Sequence, residues 1–141
     1  MKLAVDCIVE KNNKILLIKR KFEPFKGYYA FPGGFVKENE TTEEAAIREL
    51  KEEANLDGKI VGLLGVYSDP KRDPRGRVVS IVYILKTKGK PKVREETEEV
   101  GWFDIEEIKK TKLAFDHNKM FLDYLKWRKR NKTLKVKNFI L

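Results

Sequence analysis

The stretch from Gly34 to Leu56, GFVKENETTEEAAIRELKEEANL, constrains this chain more than any other part of it. Glu49, Glu52 and Glu53 fall at i, i+3 and i+4 of a run that reads as helix, so three carboxylates share one face within a single turn. Glu40 precedes them, six residues after Gly34. Left alone, such carboxylates repel and weaken a helix by roughly a few tenths of a kcal/mol per pair. A hard divalent cation reverses that sign, because Mg²⁺ takes oxygen ligands and is shared between carboxylates and substrate phosphates. Ala46, Ile47, Leu50 and Ala54 give the same helix an apolar face. Thr41, with Glu44 three residues on, forms a capping-box pattern at its start. The plain alternative is a solvated Glu/Lys-rich helix with Arg48 and Glu52 as an i,i+4 pair. That alternative does not account for Pro32-Gly33-Gly34 in front, or for Glu40 at its offset.

The pattern G-x5-E-x7-R-E-x-x-E-E resembles the signature of Nudix hydrolases, carried here by Gly34, Glu40, Arg48, Glu49, Leu50, Glu52, Glu53 and Leu56. The family usually has Gly where this chain has Asn55. That site ends a helix in a left-handed backbone, where Asn is the next best residue after Gly. The resemblance implies an α/β (α+β) fold, an α/β/α sandwich with a mixed sheet between helices. It also implies divalent metals, Mg²⁺ with Mn²⁺ as the alternative, at two or more ions per site. On the same footing Glu52 and Glu53 are the principal ligands, Glu49 ligates or acts as base, and the Gly33 carbonyl adds a ligand. Arg48 orients the carboxylates, and Glu40 supports the helix or the ligands. Glu96 is the leading candidate for a further carboxylate from the acidic loop before Trp102-Phe103, with Glu95, Glu98 and Glu99 as competitors. Each of these four is as readily a solvated acid.

Along the chain, Leu3 to Glu10 and Lys14 to Arg20 read as strands joined by an Asn12-Asn13 turn. Tyr28 to Phe31 is a short extended piece. Strands follow at Lys59 to Ser68, Arg77 to Thr87 and Val100 to Phe103, with a turn-rich basic loop from Asp69-Pro70 to Gly76. A small helix near Glu106 and a long amphipathic one from Phe115 to Lys129 close the order, and a basic tail covers about 128–141. The 141 residues fit one domain, 1–141, with the acidic box at 34–56.

The formal charge of +9 raises the question of a polyanionic partner. The excess is spread over several segments with no recognisable nucleic-acid motif, so a solvated basic surface is the reading and nucleic acid is not the expected partner. No apolar run approaches membrane-spanning length, and no leader pattern opens the chain. The single cysteine, Cys7, sits in an apolar strand pattern, and a reducing cytoplasm is the expected compartment.

Substrate class rests on resemblance outside the box. Pro24 to Val36, Tyr67 to Ser80 and Ala114-Phe115-Asp116-His117 are similar to the ADP-ribose pyrophosphatase branch of the family. The implied reaction is ADP-ribose plus water giving AMP and ribose 5-phosphate. Arg20, Arg75 and Arg77 are candidate pyrophosphate contacts, since Arg grips phosphate bidentately. Each is as readily a solvated charge. Tyr28 and Tyr29 offer a stacking face for adenine, one of them belonging to the core. His117, the only histidine, is assigned packing or hydrogen bonding before catalysis. A nucleotide-sanitising enzyme of the 8-oxo-dGTP type and a non-catalytic ADP-ribose sensor are the competing functions. The oligomeric state stays open between a simple homodimer and a monomer.

Overall fold

Alternation along the first strand decides the layering. In β1 (Lys2–Lys11), Val5, Cys7 and Val9 belong to one core cluster and Ile8 to another, all fully buried. A strand buried on both faces lies inside a sheet with helices on each side. The computed structural model, which describes residues 1–140 and the side chains of residues 1–131, has that arrangement. Strands β2 (Lys14–Arg20), β3 (Tyr29–Ala30), β4 (Gly33–Phe35), β5 (Asp57–Tyr67), β6 (Val78–Lys88) and β7 (Thr97–Asp104) complete the sheet. The helices are α1 (Thr42–Ala54), α2 (Ile105–Ile108) and α3 (His117–Ile140).

The sheet is mixed. β1 runs parallel to β6 from Lys2↔Val78 to Val9↔Leu85, and β5 pairs antiparallel with β6. β4 pairs antiparallel with β1, from Ala4↔Phe35 to Asp6↔Gly33. Asn12 and Asn13, both left-handed at φ 52 and 64, turn the chain into β2, which pairs with both β3 and β7. One face packs Ala45, Ala46, Leu50 and Ala54 of α1 on Val5, Cys7, Val9 and Leu16. The other packs Met120, Phe121 and Tyr124 of α3 with Ile105 and Ile108 of α2 on Ile8, Ile15, Leu17 and Ile84. This is the α/β/α sandwich expected from the sequence. Burial of a side chain such as Leu50 contributes roughly 1.5–3 kcal/mol, which outweighs the tenths lost to repulsion along the acidic face of α1.

Both ends of α1 are closed by residues foreseen for that purpose. Thr41 Oγ1 accepts from the Glu44 N–H at 3.0 Å, and Glu44 Oε1 accepts from the Thr41 N–H at 2.9 Å. Asn55 ends the helix in the left-handed region (φ 60, ψ 31), its N–H donating to the Lys51 carbonyl at 3.1 Å. Asn55→Ala is expected to cost about 1 kcal/mol through the Cβ penalty there, whereas Asn55→Gly stays within a few tenths. Urea melts of the two variants check this, and equal midpoints would count against it.

Several boundaries differ from expectation: β1, β3 and β6 shift by one residue at their ends, β5 starts at Asp57 rather than Lys59, and β7 starts at Thr97 rather than Val100. Gly33–Phe35 forms a strand although the sequence reading sets none there. Two glycines carry no strand preference of their own, and pairing with β1 alone makes β4. The last helix starts at His117 rather than Phe115, because Phe115 stands at φ 51, outside helical space. It continues past Lys129 to Ile140, and of the basic tail at 128–141 the side chains from 132 onward lie outside the described residues. Among the described residues, no helix is long and apolar enough to cross a membrane.

Candidate active site

β4 is squeezed between β1 and the acidic face of α1, and its two glycines are what fit. A Cβ at Gly34 would overlap the Glu49 carboxylate, and one at Gly33 would overlap the Asp6 carboxylate and the Val5 carbonyl. The close approach lets the Gly33 N–H donate to Glu53 Oε1 at 2.6 Å. Burial drives the Glu53 carboxyl well above its ordinary 4.5, against the pull of that hydrogen bond, with Glu49, Glu96 and Asp6 adding to the rise. Burial also raises Glu49, even though Arg48 draws it down.

Arg48 ties the box together. Its guanidinium donates to Glu40 Oε1 at 2.6 Å and Oε2 at 2.9 Å, to Glu49 Oε1 at 2.8 Å, to Glu52 Oε2 at 3.1 Å and to the Phe35 carbonyl at 3.1 Å. The hydrogen bonds to Arg48 hold Glu40 down to about 2. One guanidinium thus spans the box from its first acid to the helix and the end of β4.

These groups line a cleft of about 570 Å³, with Arg20 and Arg75 among its walls. Arg20 Nε donates to the Pro24 carbonyl at 2.7 Å, and its guanidinium lies 5.0 Å from the Phe115 ring centre. Arg75 is held by Asp73 at 2.8 Å and lies 4.9 Å from the Phe35 ring and 5.6 Å from Phe115. Burial lowers the Arg20 pKa and the neighbouring Arg75 charge lowers it further. A half-buried cation beside another cation gains from an incoming anion.

Glu96 lines the cleft with Glu49, Glu52 and Glu53. Its three competitors do not. The Glu95 carbonyl accepts from Lys21 Nζ at 3.3 Å, and Glu98 and Glu99 lie 4.0 and 3.9 Å from Lys19 Nζ. Tyr28, Tyr29 and Arg77 also lie outside the cleft lining. Tyr29 donates its hydroxyl to Glu99 at 2.6 Å, a bond that with burial pushes its pKa up to about 12, and its ring packs on Phe103. Tyr28 stands edge-on to Phe25. Arg77 is exposed, and its carbonyl caps the start of β1. The phenylalanines lining the cleft are instead Phe22, Phe31, Phe35 and Phe115. Phe35 and Phe115 fall within the stretches of resemblance, and of the two only Phe115 had an expected place, on the apolar face of the last helix. Asp6, Arg72 and Asp73 are buried charged residues of the lining to which no role was assigned from the sequence. Asp6 had a signal, being the one charge inside Leu3–Val9.

The donor set suits a hard cation. The carboxylates are oxygen ligands, and buried Glu53 has no cationic partner within ion-pair distance among the described residues. As the side chains stand, no three acidic, histidine or cysteine residues among those described converge closely enough to hold an ion. Arg48 takes an oxygen of Glu49 and one of Glu52, while Glu53 turns to Gly33.

The family model described as NUDIX domain matches residues 1–124. The chain belongs to the Nudix family. This Nudix domain is 55% identical over 127 residues to the ADP-ribose pyrophosphatase of Methanocaldococcus jannaschii, covering 89% of this chain and 74% of that protein. The NUDIX domain of Shewanella oneidensis NrtR, solved with ADP ribose, superposes with a TM-score of 0.82 at 25% identity, over 89% of this chain and 87% of that one. A bifunctional NMN adenylyltransferase/ADP ribose pyrophosphatase of Francisella tularensis, solved with AMP and a Mn ion, gives 0.78 at 29% identity. That superposition covers 89% of this Nudix domain but only 41% of the Francisella chain.

Proposed function

We infer that this Nudix pyrophosphatase hydrolyses ADP-ribose to AMP and ribose 5-phosphate. The observation that carries the reading is one cleft lined by both the Glu49–Glu52–Glu53 face and the Arg20–Arg75 pair. A pyrophosphate with its counter-cations needs both signs of charge within a few ångström. The 55% identity to an ADP-ribose pyrophosphatase and the likeness to a domain solved with ADP ribose support the choice of nucleotide.

Glu49, Glu52, Glu53, Glu96 and the Gly33 carbonyl would hold divalent ions, Mg²⁺ or Mn²⁺, two or more. Bound there, such ions supply Lewis acidity and a hydroxide usable near neutral pH. The chain's own groups do the remainder. Arg20 and Arg75 grip phosphate oxygens, and their contact with Phe115 and Phe35 limits where the guanidiniums can swing. Arg48 holds one oxygen each of Glu49 and Glu52 and thereby limits how far these two carboxylates can move. Water adds to one phosphorus as the bridging P–O bond breaks, and the bridging oxygen leaves on the other phosphate. The reading includes a reducing cytoplasm, in which Cys7 stays a buried thiol donating to the Ala46 carbonyl at 3.3 Å.

Product analysis tests the reading. Purified protein is given ADP-ribose, FAD, NADH, diadenosine polyphosphates and 8-oxo-dGTP, with and without Mg²⁺. Metal-dependent AMP and ribose 5-phosphate, far above any other product, is the expected result. Preference for the oxidised triphosphate would overturn it in favour of nucleotide sanitising, and tight ADP-ribose binding without turnover in favour of a sensor.

A further inference from the structure

His117 stands apart from the groups given roles above, yet it is 2% exposed and borders the cleft. Its Nδ1 accepts a hydrogen bond from the Phe31 N–H at 3.1 Å. A nitrogen that accepts is unprotonated, so in the neutral ring the proton sits on Nε2. That Nε2 faces Asp6 Oδ1 at 3.4 Å, and Asp6 Oδ2 accepts from the Ser80 hydroxyl at 2.5 Å. The imidazole therefore joins the first residue of α3 to β1, to β6 and to the backbone just ahead of β4.

The place of that backbone gives the arrangement its meaning. Phe31 is two residues before Gly33, whose N–H holds Glu53. Asp6 is the register partner of Gly33, and the Cys7 N–H donates to the Pro32 carbonyl at 2.8 Å. β1 thus fixes Pro32 and Gly33, while His117 fixes Phe31. His117 is itself held. Asp116, its neighbour, accepts two hydrogen bonds from the buried Arg72, at 3.0 and 2.8 Å. The ring also lies against Phe31, with centres 5.2 Å apart, and against Phe115 at 5.6 Å.

We propose that His117 is a positioning residue for the carboxylate site. Its neutral imidazole, anchored through Arg72–Asp116 and Asp6, sets the Phe31–Gly34 backbone that orients Glu53. The proposal rests on the reading of Glu53 as a metal-holding carboxylate. It explains a buried histidine that touches no site carboxylate except Asp6.

The test separates orientation from packing and from substrate identity. Mn²⁺ binding is followed by electron paramagnetic resonance without substrate, and kcat and KM are then measured with ADP-ribose. His117→Phe keeps a ring but removes the acceptor. His117→Asn keeps an acceptor where Nδ1 stood. The Phe variant is expected to bind Mn²⁺ about 10-fold more weakly or worse, with kcat falling similarly and KM changing little, as for other residues that orient ligands. The Asn variant should recover most of both losses. Unchanged Mn²⁺ affinity in the Phe variant, or equal losses in both, would overturn the proposal, since packing alone makes no such distinction. If the Phe variant does not fold, nitrogen-15 shifts of His117 in the unaltered protein decide. A bare Nδ1 with a protonated Nε2 is expected, and a protonated Nδ1 refutes it. Inactivity of the unaltered protein on ADP-ribose would count against the substrate reading and leave the Mn²⁺ result standing.

Discussion

Glu53→Gln is expected to abolish useful turnover while leaving the fold intact and more stable in the absence of metal. The amide keeps an oxygen to accept the Gly33 N–H but loses the charge. Loss of a principal carboxylate should reduce kcat on the order of 10³-fold or more, the scale of a lost acid–base or charge-stabilising group. The stability gain follows from linkage. Burial holds the Glu53 carboxyl well above its ordinary 4.5, and Glu49 is raised with it. Between the unfolded and folded pKa values the native state therefore binds more protons than the unfolded chain, and stability falls as pH rises through that window. Glu40, held down to about 2, acts in the opposite sense. Its contribution is full above the ordinary carboxylate value and is lost only as pH falls below it, so the two windows do not overlap. Metal-free protein should melt at lower temperature at about pH 8 than at about pH 5.5, and Glu53→Gln should flatten the difference. A variant that retains near-normal activity, or melts below the unaltered chain without metal at pH 8, contradicts the assignment.

Arg48→Ala carries the second large effect and the opposite sign in stability. The guanidinium bonds to three carboxylates and to the Phe35 carbonyl, and its side chain is 21% exposed. Removing it leaves Glu49 buried beside Glu53 without the cation that compensates it. A fully buried pair broken in this way costs about 3–5 kcal/mol, and partial exposure reduces the expectation to about 2 kcal/mol. For a chain of this size that is a fall in Tm of roughly 4–8 °C. Calorimetry of the metal-free protein measures it. Saturating Mn²⁺ should restore part of the loss by binding the folded state alone. A variant with an unshifted Tm would show that the box does not depend on its arginine.

Much of this site could be read in advance wherever local chemistry decides conformation. Thr41 with Glu44, the left-handed Asn55 and the Asn12-Asn13 turn are each settled by a few neighbouring residues. The i, i+3, i+4 acids need only a helix to stand together. What could not be read depends on contacts between distant segments. β4 exists because Gly33–Phe35 meets β1, and no property of Gly-Gly-Phe announces that. The facing of Tyr28 and Tyr29 was equally hidden. A strand of two residues has too short an alternation to fix its phase, and the Glu99 carboxylate that holds Tyr29 is 70 residues away. Asp6 and His117 meet only when β1 and α3 are assembled. Arg77, placed with Arg75 by proximity in sequence, is exposed outside the cleft lining, its carbonyl accepting from the Lys2 N–H at the start of β1.

The three alanines of α1, Ala45, Ala46 and Ala54, are fully buried with Leu50 against the sheet, and the buried Glu49 and Glu53 fall between Ala45 and Ala46 around the same helix. Small side chains let the helix axis lie close to β1, and that spacing sets how far the carboxylates stand from β4. A mutation that enlarges one of them is thus a mutation of the site, although it touches no ligand. Directed evolution of such a chain toward new substrates has freedom in the walls bearing Arg75 and Phe115. It has almost none beneath the helix, where a single added methyl group would change the chemistry from behind.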